Sequence, residues 1–347
     1  MTINFNFNTD TISVTSATFT FVNSTSYGLA QTGNSATQSN VSLVASSGDT
    51  NTSVVLTPKG TGALIAGPAP DGTTTGGNAR GIYATDFQVI RTTSSRVASG
   101  AYSAVFGSDN TASNNNSFAA GSGNTASGEN TAVFGNLSTA SGGQSFAAGY
   151  SAAATNASIA LGAVVTASGF RSVSLGDTAT ASGSYSTTFG YYSNARSRYG
   201  YLAQGSGQFS SSGDAQHGIG ILRAATSAAT LARLTADAGA AGSANIINLV
   251  NNSALRLTID IVGRDTTNGD TGLWKIESGI KRGANAAATA LVGTPIVTVV
   301  GLDSGWALQA SPTLTADTTN GGLNLSITPI TTNACRWVAR VMAVEVA

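Results

Sequence analysis

A pentapeptide that ends in glycine recurs through the middle of the chain with a step of fourteen residues. The repeated glycines are Gly107, Gly121, Gly135, Gly149, Gly162, Gly176 and Gly190, and their spacing is 14, 14, 14, 13, 14 and 14 residues. An alanine follows each glycine at the fifth position, from Ala112 to Ala195. Fourteen residues are too few for a helical hairpin and lack apolar heptad positions, but they fit two strands and two turns. The repeat predicts a parallel β-solenoid, or β-roll, over residues 97–207.

Side-chain volume alternates between successive pentapeptides. The second and fourth positions of a strand share a face, and they hold Ala104 and Phe106 in one copy, then Phe118 and Ala120 in the next. We expect the phenyl rings to fit diagonally against alanines, which keeps the volume of each layer constant. A disordered Ser/Gly/Ala linker is the alternative for this composition, but it does not require a constant phase.

A second column of residues lies two positions after the alanines. It holds Asn114, Gly128, Gly142, Asn156, Gly169, Gly183 and finally Ser197. Asparagine and glycine adopt positive φ at the lowest cost. The column therefore predicts a left-handed corner in each coil.

The repeats resemble the head repeats of trimeric autotransporter adhesins, the YadA-like β-roll, whose coils carry an S-x-A-x-G core. The copies at Ser117–Gly121, Ser145–Gly149 and Ser158–Gly162 carry this likeness, which covers residues 97–207. The resemblance implies that three chains pack together. A physical argument agrees, because a coil this small and lined by alanine is expected not to enclose a core of its own, so that its apolar face needs partners.

Charged residues make up only 9% of the chain, and the formal net charge is zero. The sixteen Lys and Arg residues are scattered, so a nucleic-acid partner is not expected. The single cysteine, Cys335, excludes an intramolecular disulfide, and one histidine offers little for metal binding. We therefore expect no cofactor and no metal.

The first eight residues show neither the basic nor the apolar region of a secretory signal. No run approaches the roughly eighteen apolar residues of a membrane helix. An autotransporter adhesin needs a signal peptide, a coiled-coil stalk and a membrane anchor, so this roll is expected on a different carrier. We expect a virion fibre that is made in the host cytoplasm and does not insert into a membrane.

Residues 1–96 are predicted to form an irregular, mostly β segment that attaches to the virion. Ile3–Phe7 alternates apolar and polar residues as a strand does, and Thr18–Val22 is a second candidate. The stretch LTPKGTGAL, Leu56–Leu64, resembles segments near the N-termini of phage tail fibres. Lys59 precedes the glycines, which is the reverse of a Walker motif and disfavours a phosphate loop. The expected partner is a baseplate, adaptor or portal-adaptor protein.

Residues 208–347 are predicted to form an antiparallel β-sandwich. Two turn dipeptides, Asn268-Gly269 and Asn320-Gly321, separate alternating runs and indicate hairpins. The predicted strands include Leu255–Val262, Gly272–Glu277, Ile296–Val300, Trp306–Ala310, Leu323–Thr328 and Trp337–Val344. All three tryptophans lie here, which marks a conventional aromatic core.

This C-terminal part resembles the head domain that ends many phage tail fibres. The likeness is carried by the order of Ile221–Thr226, Asn252–Ala254, Leu273–Arg282, Ala316–Leu323 and Arg336–Ala339. It implies a trimeric tip that meets the host surface, without fixing the binding residues. Turn positions that could orient and stack on sugar rings are Arg264, Asp265, Asn268, Asp270, Trp306, Asp317 and Asn320.

The sequence offers little for catalysis. Polysaccharide hydrolases use two carboxylates about 5 to 10 Å apart, but Asp109, Glu129 and Asp177 occupy different positions in their coils. His217, at a domain junction, is a weak candidate for a Ser/His/Asp triad. The prediction is an all-β, non-enzymatic homotrimeric phage tail fibre that recognises a host glycan or outer-membrane receptor. The alternatives are a structural decoration or neck fibre of the virion, and a polysaccharide-depolymerising tailspike.

Overall fold

A computed structural model describes residues 56–227, 230–306, 311–328 and 333–347. Residues 58–347 form one compact unit. The described residues form β-strands, with two short 3-10 turns at Ala286–Ala288 and Ser304–Trp306. The strands predicted at residues 3–7 and 18–22 lie outside the described residues.

The repeat folds into a parallel β-roll, as predicted. Six successive coils each contribute one five-residue strand and one two-residue strand, and repeat glycines lie beside each other, as Gly107 does beside Gly121. The first pair is β1 (Leu64–Ile65) with β2 (Thr85–Gln88), so the ladder starts before residue 97. The following long strands are β3 (Ala104–Ser108), β5 (Phe118–Ser122), β7 (Ala132–Asn136), β9 (Phe146–Tyr150), β11 (Ile159–Ala163), β13 (Val173–Asp177), β15 (Thr187–Tyr191) and β16 (Leu202–Ser206). The short strands are β4 (Thr111–Ala112), β6 (Thr125–Ala126), β8 (Thr139–Ala140), β10 (Ala153–Ala154), β12 (Thr166–Ala167) and β14 (Thr180–Ala181).

The interior of the roll is filled mostly by alanine and valine, with Ser174 and Thr188 at the middle positions of two later coils. Its buried cluster holds the middle residues of the pentapeptides, such as Val105 and Ala119, together with the repeated alanines, such as Ala112 and Ala126. The expectation that the coil cannot enclose its own core is therefore wrong. The two sheets lie close enough for methyl groups to fill the space between them, and the phenylalanines lie outside.

The glycine column does not form the left-handed corner that the sequence predicts. Gly128, Gly142, Gly169 and Gly183 are all outside the left-handed region. A Cβ atom at any of them would overlap the backbone of the next coil, so close approach between coils is what requires glycine. Only Asn156 and Ser197 of this column have positive φ.

Non-glycine residues make the left-handed corners instead. One set, at φ 52–58°, is Asp109, Leu137, Ser151, Val164, Thr178 and Tyr192. A second set, at φ 52–61°, is Asn116, Asn130, Gln144, Ala157, Arg171 and Tyr185. The strain of these positions is offset by hydrogen bonds between coils, since the Leu137 N–H donates to Ser122 and the Val164 N–H donates to Tyr150.

A ladder of buried polar side chains runs through the first coils. We call Gln88, Asn110, Asn124 and Ser138 the inner polar ladder. Each side-chain oxygen accepts the backbone N–H of the corresponding residue in the next coil, at 2.9 to 3.1 Å. The Asn124 amide also donates to the carbonyls of Ala120 and Gly135, at 2.9 and 2.7 Å. The ladder thus supplies hydrogen bonds to backbone groups that turn away from the strands.

The roll's long sheet continues directly into the C-terminal part. Beyond β16, the sheet order is β17, β24, β19, β20 and β21, and all these pairs are antiparallel. Their bounds are β17 (Ala215–Thr226), β19 (Ser253–Asp265), β20 (Thr271–Arg282), β21 (Thr289–Leu302) and β24 (Cys335–Val346). A separate antiparallel sheet holds β18 (Ala232–Arg233), β22 (Thr313–Asp317) and β23 (Gly322–Ile327). Both hairpins predicted from the Asn-Gly dipeptides are present.

One buried core joins these C-terminal strands, and its centre is aromatic. Trp274, Trp306 and Trp337 pack with ring centroids 5.0 to 5.7 Å apart. The same core includes Leu323 and Leu325 of the smaller sheet. The strand predicted from Trp306 is wrong at that residue, which ends a 3-10 turn, and residues 307–310 lie outside the described ranges.

A buried ion pair ties the last coil to the C-terminal strand. The Arg198 guanidinium lies 3.1 Å from the Glu345 carboxylate, and both side chains are 1% exposed. Arg198 also donates to the carbonyl of Asn248 and lies over the Tyr201 ring, 4.6 Å from its centroid. These contacts join the last coil of the roll to the next part of the chain.

Candidate functional site

A row of phenylalanines lies on the outer surface of the roll's long sheet. We define the phenylalanine ladder as Phe87, Phe106, Phe118, Phe134 and Phe146. Successive ring centroids are 5.1 to 5.8 Å apart, which is the range of favourable aromatic pairs. Phe106 and Phe134 remain 37% and 41% exposed. The alternation of large and small residues thus packs rings diagonally, as predicted, but against each other and outside the roll.

The outer surface of the long sheet, here called the outward face, continues from the ladder into the C-terminal strands. Pairing follows one row from Phe146 through Ile159, Val173, Thr187, Leu202, Ile219, Met342, Thr258 and Glu277 to Ile296. Apolar residues on this face include the exposed Val338 and Val344. Two surface ion pairs interrupt them, Arg340 with Asp260 at 2.6 Å and Arg256 with Glu277 at 3.1 Å.

The turn between β19 and β20 holds four of the seven predicted binding residues. Asp265 is buried, and its carboxylate accepts hydrogen bonds from the backbone of Thr267 and from the side chain of Asn333, both at 2.7 Å. The Asn333 bond lowers the pKa of Asp265 below its usual value. Asp265 therefore shapes the turn. Arg264 and Asn268 are exposed, and Asp270 is half-buried.

The turn between β22 and β23 repeats the same pentapeptide, DTTNG, and the same geometry. Asp317 accepts from the backbone N–H and the side-chain amide of Asn320, both at 2.8 Å, and pairs with Arg233 at 2.7 Å. Burial opposes ionisation of Asp317, but the bonds from Asn320 and Arg233 outweigh it and lower the pKa from 3.8 to about 2. Asp317 and Asn320 thus hold the turn together, and their polar groups face each other.

The structure does not bring the two turns together. Asp265 lies beside the Thr271 end of β20, because Arg264 pairs with Thr271. At the other end of β20, Arg282 and Gly321 both bond the backbone of Leu249. Eleven residue steps at about 3.3 Å separate these ends, a distance of about 36 Å.

Trp306 belongs to the first of these two ends but not to its surface. Its backbone N–H donates to Asp303, whose carboxylate accepts from Thr271 N–H at 2.9 Å. The Trp306 ring is 1% exposed and packs between the other two tryptophans. It presents no face to a sugar, so Arg264, Asn268 and Asp270 remain as the surface residues of this turn.

Asp109 and Asp177 of the roll are each bonded to neighbouring side chains. Asp109 accepts from Thr92 and lies 3.2 Å from the Arg96 guanidinium, while Asp177 accepts from Thr178. Within the described ranges, no three His, Cys, Asp or Glu side chains are grouped so as to hold a metal ion. His217 lies on the outward face, opposite Gln204 and Val344.

Sequence reasoning did not predict two features of the structure. One is the Arg198–Glu345 pair, which joins residues 147 positions apart in the chain. The other is the position of β21 at the free edge of the long sheet. An uncharged run from Thr289 to Leu302 was the available signal for an unusual strand.

No protein-family model matches the chain, and no curated protein is found as a relative. None of the helices among the described residues is long and apolar enough to cross a membrane.

Proposed function

We propose that this chain is a non-enzymatic, homotrimeric tail fibre of a virion, and that the three copies meet along the phenylalanine ladder of its outward face. The phenylalanine ladder is the observation that carries the proposal. The roll already has a closed alanine interior, so the ladder is not needed to fill it. Exposed aromatic rings in a continuous row are typical of a protein interface.

The area of the rings is large enough to matter. Phe87, Phe106 and Phe134 are the most exposed, at 37–41%, which leaves about 80 Å² of each ring accessible to water. At about 25 cal/mol per Å², burying the three contributes about 6 kcal/mol per chain. That is a substantial share of the free energy needed to hold three copies together.

In this proposal, the segment that precedes the paired strands of the roll, residues 1–63, attaches to a baseplate, adaptor or portal-adaptor protein of the virion. The two C-terminal sheets act as a sandwich head, and the head recognises a host surface glycan. The turn with Arg264, Asn268 and Asp270 supports such a role because it offers exposed charged and amide groups at the end of long strands. Three copies would bind more tightly than one through avidity.

The assembly is tested by the mass of the purified chain in solution. Light scattering is expected to give three times the 34.5 kDa of one chain. Phe106→Ser with Phe134→Ser is expected to shift the mass toward one chain, because both rings lie outside the roll interior. Tyr102→Ser is the matched control: Tyr102 is 61% exposed and stacks on Tyr83, but on a turn rather than on the ladder. A single-chain mass for the unaltered protein contradicts the proposal.

The location and the head are tested separately. Immunogold labelling of intact particles is expected at the tail, whereas label at the capsid or collar favours a decoration or neck fibre.

The purified chain, labelled with a fluorescent dye, is expected to bind host cells. The double substitution Arg264→Ala with Asn268→Ala is expected to weaken that binding. Thr319→Ala, in the equivalent turn at the other end of the strands, is the control. Release of shortened host polysaccharide by the unaltered trimer contradicts the non-enzymatic assignment.

A further inference from the structure

Strand β21 is the last strand of the long sheet, and it is unusually apolar for an edge. It pairs with β20 on one side, and no described strand pairs with its other side. Its fourteen residues, Thr289–Leu302, contain no Asp, Glu, Lys or Arg. Edge strands commonly carry charged residues that prevent association with other chains. This strand lacks that protection.

The large side chains of β21 are exposed on both of its faces. Ile296 is 63% and Val300 is 62% exposed. Val297 and Val299 point to the opposite face, where they pair with Ile276 and Trp274 of β20, yet they are also exposed. The smaller sheet therefore covers the tryptophan core but leaves the edge open. In a single chain, this patch is in contact with water.

The position of β21 identifies a second copy of this chain as the occupant. Ile296 lies in the same pairing row as Phe146 and Leu202, on the outward face of one uninterrupted sheet. If copies meet along the phenylalanine ladder, the same approach brings them together at the end of that row. A sugar is a poor alternative, because the strand offers hydroxyls only from its threonines and no charged group.

We propose that β21 is buried against a neighbouring copy in the homotrimer and forms a second interface, distinct from the phenylalanine ladder; this inference rests on the proposed trimeric function. The contact is made by side chains rather than by sheet extension. Pro295 has no N–H to donate, and Gly293 has a φ of 75° where the register with β20 shifts. Both features interrupt a regular backbone ladder at this edge.

The accessibility of an introduced thiol tests the proposal without disturbing the fold. Val300→Cys places a thiol on β21, and Val164→Cys places one on a turn of the roll, where the side chain is 48% exposed in one chain. The native Cys335 is buried and provides the background rate. In the full-length purified protein, we expect a maleimide to react with the thiol of Val300→Cys at least about tenfold more slowly than with the thiol of Val164→Cys. In urea the two rates are expected to become equal.

The mass of each variant separates this inference from the trimer itself. If the mass is trimeric and the two introduced thiols react at equal rates, the trimer is supported but the role of β21 in it is refuted. This holds even if β21 binds some other partner. A single-chain mass overturns both. Slow reaction at a single-chain mass also overturns the inference, because another part of the same chain then covers the strand. Val300→Lys is expected to lower the trimeric fraction, whereas Val164→Lys leaves it unchanged.

Discussion

Removing the Asn124 side chain tests whether the inner polar ladder holds the coils of the roll together. The side chain is fully buried. Its oxygen accepts the Ser138 N–H at 2.9 Å, and its amide donates to the carbonyls of Ala120 and Gly135. Asn124→Ala removes all three bonds and leaves a void of only a few atoms.

The loss of unfolding free energy caused by Asn124→Ala can be estimated from the backbone groups that lose their hydrogen-bond partner. A buried N–H without an acceptor costs about 1 to 3 kcal/mol, and each lost bond to a carbonyl costs about 0.5 to 1.5 kcal/mol. Asn124→Ala should therefore destabilise the roll by about 2 to 6 kcal/mol. Asn124→Ser should cost less, because the next coil shows what serine does at this position: Ser138 accepts the Ala152 N–H at 3.1 Å and donates to the Gly149 carbonyl at 3.1 Å.

Thermal unfolding followed by far-UV circular dichroism measures the effect on the roll. At about 2 °C per kcal/mol for a chain of this size, the midpoint should fall by about 4 to 12 °C for Asn124→Ala and by less for Asn124→Ser. Protein concentration must be held constant, because assembly also changes the midpoint. If the alanine variant melts within 2 °C of the unaltered protein, or if the serine variant is equally damaged, the ladder does not stabilise the roll as argued.

Three further outcomes are expected. Gly169→Ala places a Cβ atom on the backbone of the next coil and should abolish the roll signal in circular dichroism, whereas Gly143→Ala, with its nearest neighbour 3.6 Å away, should preserve it. The Asp317 carboxylate stabilises the fold fully above pH 3.8 and loses this contribution as the pH falls toward about 2, so Asp317→Asn should flatten the change of the unfolding midpoint across that interval. Arg198→Met leaves the buried Glu345 carboxylate with Arg196, 3.3 Å away, and Gln216 as its partners, and should cost less than the roughly 3 to 5 kcal/mol of a fully unpaired buried charge; denaturation followed by tryptophan fluorescence should show that adding Glu345→Met recovers part of this loss.

The β-roll could be predicted from the sequence because both the length of a coil and its interior residues are marked by the repeat. The constant fourteen-residue spacing sets the length of each coil. The alanine at the fifth position after each repeat glycine identifies a residue of the interior. Neither depends on contacts between distant parts of the chain. The hairpins at Asn268-Gly269 and Asn320-Gly321 were predictable for the same reason, since a turn dipeptide acts locally.

Backbone conformation at the corners was not predictable, because residue type and φ are only loosely linked here. Val164, a β-branched residue, adopts φ 52° and is held there by its bond to Tyr150 in the previous coil. Gly169 has no such φ and is required by the approach of Gly183. A propensity for positive φ and a need for a small side chain both select glycine, so the sequence alone does not distinguish them.

Some of the residues that the sequence predicted for binding instead stabilise the turns in which they lie. Asp265 and Asn268 belong to one DTTNG sequence and Asp317 and Asn320 to another, and an exposed turn favours the same residues that a sugar site uses. Only burial and partners separate the two roles. Only the structure shows that these turns lie at opposite ends of β20 and that Trp306 faces the core.

If copies of the chain meet along the outward face, as proposed, that contact restricts where a receptor can bind. One face of the long C-terminal strands packs on the core, and the other is then covered by neighbouring copies, so only the ends of the strands stay open. The roll stacks on β17 through Gln216–Ile219 alone. The seven residues from Gly220 to Thr226 extend beyond it by about 23 Å, toward the end where Arg264 and Asn268 are exposed. The tip of that turn, with Asn268, clears both the roll and the proposed trimer contact, although Arg264 shares the face of Thr258 near its margin. The Asp317 turn instead lies at the strand ends that stack on the roll. Recognition by the first turn and assembly along the outward face are therefore compatible in one particle.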